Sequence, residues 1–161
     1  MNKLRYEIRD YEYTFRVYAT NTYNDNLKTF VKTSSGHELV ADEPIECGGE
    51  GLGPNPIELF LASIASCFII STRIHAHRYG IKIDKIEALA EGVFDIRGFL
   101  GLEEYDKGFK KIVLNVYIES GELCDDVNNV IKKALSGWIV GSTLMRTGIL
   151  EIKTDIRCRK L

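Results

Sequence analysis

Near its N-terminus the chain alternates: Tyr13, Phe15 and Val17 are interleaved with Thr14, Arg16 and Tyr18. This is the period-two signature of a strand, and the turn formers of TNTYNDN interrupt it. LKTFVKT, the turn SSG and HELVADEP then predict a hairpin, ended by Pro44. The pattern changes at Leu59, where fourteen residues run to Thr72 without a charge. Just before them, Asn55 suits an N-cap and Pro56 the first helical position, with Glu58 third in a capping-box-like pair. Tyr79-Gly80 supplies a glycine stop. The helix predicted between these signals has about 24 residues and is near 36 Å long. It is apolar on almost every side through Ile70, which requires protein all round it. IDKIEALAEGVFDIRG and FKKIVLNVYIES follow as long strands, the second with Ile112, Leu114, Val116 and Ile118 on one face. CDDVNNVIKKAL is an amphipathic helix with Val127, Val130, Ile131 and Ala134 in one stripe. WIVGSTLM predicts a shorter helix, with Trp138 in core or interface, and ILEIKTDIRC a last strand. The order βββ-α-ββ-αα-β predicts an α+β fold, an antiparallel sheet wrapped around a long, central, buried helix.

Composition narrows the class. With 161 residues, 45% hydrophobic and 27% charged, the chain suits a single domain over 1–161. A net charge of −2 gives no footprint for nucleic acid. The fourteen uncharged residues fall short of the roughly 20 that span a bilayer, so no membrane segment is expected. MNKLRYEIRDYEYTF is charged every two or three residues, unlike a leader peptide, and a cytoplasmic location is expected. The four cysteines show no metal-ligand spacing and read as thiols rather than a disulfide framework. Cys124 starts a helix beside Asp125 and Asp126, which oppose its ionisation. No metal is expected: His75 and His77, two apart on a helix, point roughly 200° from each other. They read as part of a solvated helix end with Arg73 and Arg78. GGEGLG lacks the spacing of a nucleotide-binding loop, so no cofactor is expected; it reads as a tight approach to the helix, stiffened by Pro54 and Pro56.

Cys67 has two readings. Free cysteine is among the most buried residue types, and a small apolar core residue explains it. As a nucleophile it needs ionisation, and an ordinary thiol of pKa about 8.5 is only a few per cent thiolate at pH 7. Mid-helix, the N-terminal dipole is out of reach, so a neighbouring cation is required. Ser63 and Ser71 lie four residues away on either side. Glu58, itself explained by capping, is half a turn out of phase and about 13 Å away along the axis. It cannot touch Cys67 within one chain, but an antiparallel pair of such helices about a two-fold axis would bring the two near each other.

DEPIECGGEGLGPNPIELFLASIASC resembles the signature of the OsmC/Ohr family, closest to its YhfA-like branch. The resemblance extends to the order of elements over nearly the whole chain. It implies an intertwined homodimer with sites at the subunit interface, and reduction of organic hydroperoxides in oxidative-stress defence. The attacking cysteine maps onto Cys67. The family's resolving cysteine stands in a CPVxxTL element, and here WIVGSTL puts Trp138 at that place. The peroxidase glutamate aligns with Ile57, and Glu58 with the neighbouring acid. The activating arginine is absent from TNTYNDNLKTFVKT, where Lys28 is the nearest basic match and Arg16 a poorer one.

The leading expectation is a one-cysteine peroxidase, with Cys67 attacking, Glu58 and Lys28 assisting, and an external thiol or dithiol recycling it. Cys47 is an alternative resolver if its loop folds over the helix. The missing arginine and resolving cysteine favour a second reading, a degenerate binding or sensing protein holding a small apolar or thiol-reactive ligand near Cys67. A hotdog-type thioesterase relying on Glu58 is a third, opposed by the signature.

Overall fold

The computed structural model describes residues 12–102 and 105–160. The charged N-terminal stretch lies outside these up to residue 11. The chain divides into two compact units, at Pro56/Ile57.

The first unit is a three-stranded antiparallel sheet in the order β1 (Val17–Thr20), β2 (Thr29–Thr33), β3 (Glu38–Ala41). The strand expected from Tyr13 begins only at Val17, and Tyr13 and Phe15 are exposed. The TNTYNDN turn contains one helical turn, Tyr23–Asp25, closed by the Thr22 backbone N–H donating to Asp25 at 2.8 Å. The hairpin forms as expected, with Val31 opposite Leu39 and Phe30 opposite Val40.

Helix α1 (Pro56–Tyr79) has the 24 residues that its start and stop signals predict. β4 (Lys85–Phe94), the short α2 (Ile96–Phe99), β5 (Phe109–Leu123), α3 (Cys124–Ser136), α4 (Ile139–Met145) and β6 (Leu150–Arg159) follow. The second sheet runs β4-β5-β6. β4 pairs with β5 antiparallel, whereas β5 and β6 are parallel, a departure from the all-antiparallel expectation. Parallel neighbours need a long crossover, and α3 with α4 supplies it.

The core of the second unit joins three surfaces. Ile64, Phe68 and Ala76 come from α1, Ile112 to Ile118 from the inner face of β5, and Val127, Val130 and Ile131 from α3. Trp138 is fully buried and meets Phe68 edge-on at 5.3 Å. Burial on α1 is one-sided: Ile64, Phe68, Ser71, Thr72 and Ala76 are enclosed, while Ala62, Ser66 and Ile70 are exposed. Among the described residues, a helix apolar all round is therefore covered along one stripe. By length and composition α1 would also cross a membrane, which the fourteen-residue count concealed, yet its buried stripe is core.

Two of the expected thiols form a disulfide. Cys124, the first residue of α3, and Cys158, near the end of β6, have Cα atoms 5.1 Å apart and are bonded. Their separation of 34 positions hides this in the sequence, because only the crossover returns β6 to the start of α3. Cross-linking a loop of that length stabilises by about 4 kcal/mol in the chain-entropy account. Cys158→Ser, or full reduction with dithiothreitol, is expected to lower unfolding free energy by about that amount in urea titrations.

Candidate functional site

Cys67 lies at the middle of α1, half-buried, with a free thiol packed against the core cluster. The hydroxyls on its face are already committed. Ser63 Oγ donates to the Phe60 carbonyl at 2.6 Å, and Ser71 Oγ donates across to the Ala134 carbonyl at 2.9 Å. Neither proton is left for the sulfur. Arg73, one and a half turns further on, donates to the Ile83 carbonyl. Glu58 is exposed in the first turn of α1, nine residues before Cys67. Within one chain these two stay apart, as helix geometry requires.

In the first unit Lys28 is engaged. Its Nζ lies 2.9 Å from Glu50 Oε1, and that carboxylate holds the ammonium pKa above the ordinary lysine value. Arg16 is exposed just ahead of β1, where its backbone meets Ser34. Cys47 is exposed at the end of a helical turn, Ile45–Cys47, with a free thiol.

The glycine-rich loop is organised by a residue that sequence reasoning passed over. Asp42, 2% exposed, accepts backbone N–H bonds from Glu43 at 2.9 Å, Glu50 at 3.0 Å and Leu52 at 3.1 Å. Its signal was a carboxylate just before a proline and a run of glycines, whose free N–H groups need an acceptor. Gly49 lies so near the Glu43 carbonyl that a Cβ would fall 1.8 Å from its oxygen. Within this unit the loop is thus drawn onto the end of β3, where the sequence suggested an approach to the helix. Burial opposes ionisation of Asp42, but the N–H groups of Leu52, Glu50 and Glu43 outweigh it and hold the carboxyl below its usual range. A depressed pKa in the folded state adds stability above the ordinary carboxylate value near 4, lost as pH falls through the folded value. Asp42→Asn is expected to lower Tm by about 5 °C at pH 7, the gap to wild type closing below pH 4.

The histidines part company. His77 is exposed as expected, whereas His75 is half-buried with Nδ1 enclosed and unbonded. Burial pushes its pKa down, with Arg78 and Lys133 adding to the effect. Among the described residues no three His, Cys, Asp or Glu side chains converge as a metal site.

The model of the family described as OsmC-like protein matches residues 49–153, from the glycine loop through α1 and into β6. The chain belongs to the OsmC-like family. YmaD of Bacillus subtilis (strain 168) is 26% identical over 119 residues, 71% of this chain and 75% of that protein. Among solved structures, an OsmC-like protein from Mycoplasma pneumoniae superposes with a TM-score of 0.73 at 16% identity, covering 91% of this chain and 98% of that one. An organic hydroperoxide resistance protein OsmC from Legionella pneumophila does so with a TM-score of 0.62 at 24% identity, covering 90% and 97%. At these identities the two structures speak for the fold, which in this chain carries Cys67 on its long helix.

Proposed function

We propose that this OsmC-like protein is a thiol-dependent organic hydroperoxide reductase in oxidative-stress defence, with Cys67 as the attacking group and residues 1–161 acting as one functional domain. The observation that carries the reading is a free, half-buried thiol on the family's long helix, while Cys124 and Cys158 are consumed by each other. The Legionella protein is named for organic hydroperoxide resistance, which supports the substrate class. The Cys67 thiolate attacks one peroxide oxygen; the O–O bond breaks and the alkoxide leaves, taking a proton to become the alcohol. Sulfur is oxidised to the sulfenic acid as the peroxide is reduced. An external thiol condenses with the sulfenic acid, releasing water and forming a mixed disulfide, and a second thiol returns Cys67 to the reduced state. Trp138 at the resolver's place makes an outside reductant necessary. Lys28 and Glu58 are the proposed assisting groups, and Lys28 must exchange Glu50 for the thiolate to take part. The cytoplasm is the proposed setting.

The working form is a homodimer. The uncharged stripe of Ala62, Ser66 and Ile70 is left open on α1, and its small residues allow close approach of a second copy. An antiparallel helix pair then sets Glu58 of one copy beside Cys67 of the other. Sedimentation equilibrium is expected to show twice the chain mass; a monomer at working concentration excludes this arrangement.

The activity is tested by treating protein that keeps its Cys124–Cys158 disulfide, with Cys47 and Cys67 as free thiols, with one equivalent of cumene hydroperoxide and measuring intact mass and peptide masses. One added oxygen on Cys67, ahead of Cys47, is expected. Oxidation spread evenly over both free thiols removes the reading. The degenerate binding protein is the second reading, favoured by Lys28 being tied to Glu50 and by Trp138 filling the core. It predicts ligand-induced stabilisation without oxidation at Cys67.

A further inference from the structure

The Cys124–Cys158 bond joins the first residue of α3 to the last but one of β6, and the peroxide chemistry proposed above uses neither sulfur. The two cysteines are unequally placed. Cys158 packs against the core cluster, whereas Cys124 lines a surface cleft with Leu123, Asp125, Arg159 and Lys160. Both cysteines are only half-buried, and Asp125, Arg159 and Lys160 around them are exposed. The sheet contributes little at this end. β5 and β6 pair in step from Ile112 opposite Leu150 to Glu119 opposite Arg157, and the register then breaks. Among the described residues, Leu123 opposite Arg159 is the one pair beyond the break. Past it, the disulfide is the covalent tie between the end of β6 and the start of α3.

We infer that this disulfide is a reversible exchange site for small thiols and disulfides. Cys124 takes the mixed disulfide, Cys158 resolves it, and the tie of β6 to α3 is what the exchange switches. Exposure makes a disulfide labile, whereas buried structural ones resist small thiols. An incoming thiolate enters by the cleft and attacks Cys124 Sγ. The S–S bond breaks, and the Cys158 sulfur leaves with the electron pair and takes up a proton. A second thiolate attacks the outer sulfur of the mixed disulfide, releasing Cys124 as a thiolate and forming the small disulfide. Two small thiols are thereby oxidised as the protein gains two thiols; oxidation retraces these steps with a small disulfide as the electron acceptor. The released Cys124 thiolate lies at the start of a 13-residue helix whose cap residue, Leu123, offers the first N–H groups no side-chain acceptor. Those N–H groups favour a negative sulfur. Arg159 and Lys160 add to this, while Asp125 and Asp126 oppose it. Cys158, on a strand and against the core, is placed to close the bond rather than to meet incoming thiols. Reduction leaves the core in place, because the buried residues Ile112 to Ile118 all precede the register break.

The test uses the full-length protein with Cys47→Ser and Cys67→Ser, so that the Cys124/Cys158 pair alone titrates and peroxide chemistry at Cys67 has no part in the outcome. Equilibrated in buffers of reduced and oxidised glutathione and quenched by alkylation, the folded protein is expected to pass reversibly between disulfide and dithiol in one two-electron transition. Amide hydrogen exchange at Cys158 and Arg159 is expected to quicken at least tenfold in the dithiol form, with Ile112 to Ile118 unchanged. Adding Cys158→Ser is expected to trap one glutathione on Cys124. Adding Cys124→Ser instead is expected to slow the adduct on Cys158 at least fivefold relative to that. If a single-cysteine protein does not fold, peptide masses of the quenched pair locate the mixed disulfide, expected on Cys124. A bond that millimolar reduced glutathione leaves intact in the folded protein overturns the site. So do equal adduct rates on the two cysteines, a mixed disulfide on Cys158, or unchanged exchange at the end of β6.

Discussion

Cys67→Ser is expected to bring cumene hydroperoxide consumption in the presence of excess dithiothreitol down to the rate of buffer and reductant alone, a fall of at least 100-fold. A serine hydroxyl is about the same size but is not ionised near neutral pH and is a far weaker nucleophile toward an O–O bond. The substitution leaves the fold intact, because the half-buried sulfur packs against apolar neighbours and makes no bond there, among the described residues, that an oxygen would lose. Cys47→Ser is the matched control. Cys47 sits exposed in the first unit, and with excess external thiol its removal is expected to change turnover less than twofold. Equal losses in the two variants would make Cys47 a required partner and would end the one-cysteine scheme. Retention of turnover in Cys67→Ser would assign the peroxide chemistry elsewhere. Peroxide consumption by coupled assay, with circular dichroism to verify folding, separates these results.

The helix carrying that thiol was the most legible part of the chain. Pro56 and Gly80 mark its limits through local backbone chemistry, and the observed span agrees with them. What covers it was not legible. Hydrophobicity on all sides says that protein must surround α1, but not whether one chain or two supplies it, and the described residues enclose the stripe from Ile64 to Ala76. Strand direction was hidden for a similar reason. Leu150, Ile152 and Ile156 alternate identically whether β6 runs with β5 or against it. Only the length of the α3–α4 connection carried that information. α2 escaped notice because four residues have no periodicity; the Asp95 side chain accepting from the Arg97 N–H starts it. The Cys124–Cys158 bond, the Asp42 cradle and the Lys28–Glu50 pair share one property: each joins residues whose proximity is created by the tertiary fold. Composition pointed to reduced cysteines, and topology overrode it. For the proposed site, the signature named Cys67 as the candidate, while the core role of Trp138 at the resolver's place was visible only in the fold.

Trp138→Ala is expected to destabilise the protein by about 4 kcal/mol, the largest loss of any single truncation named here. Trp138 is the only tryptophan in the chain and is 0% exposed, at the junction of α3 and α4. Its ring presses on Gly141 closely enough that a Cβ there would lie 2.0 Å away, and it meets Phe68 at 77° between ring planes. Such contacts leave a truncated site little room to relax, so most of the indole volume becomes a cavity. Nε1 is enclosed without an acceptor, which offsets part of the gain from burial. Trp138→Phe keeps an aromatic edge for Phe68 and removes the unpaired N–H, so a smaller loss of about 1–2 kcal/mol is expected. Trp138→Cys would restore the sulfur that the family pattern has at this place, yet it carries nearly the full cavity cost. Recovering the second cysteine thus requires repacking α4 against Phe68, a cost that the proposed external reductant avoids. Urea unfolding followed by far-ultraviolet circular dichroism checks the series, with the order wild type, Phe, then Cys and Ala together. A loss under 1 kcal/mol in Trp138→Ala would show the indole to be an ornament of the core, and would reopen the position to a resolving cysteine.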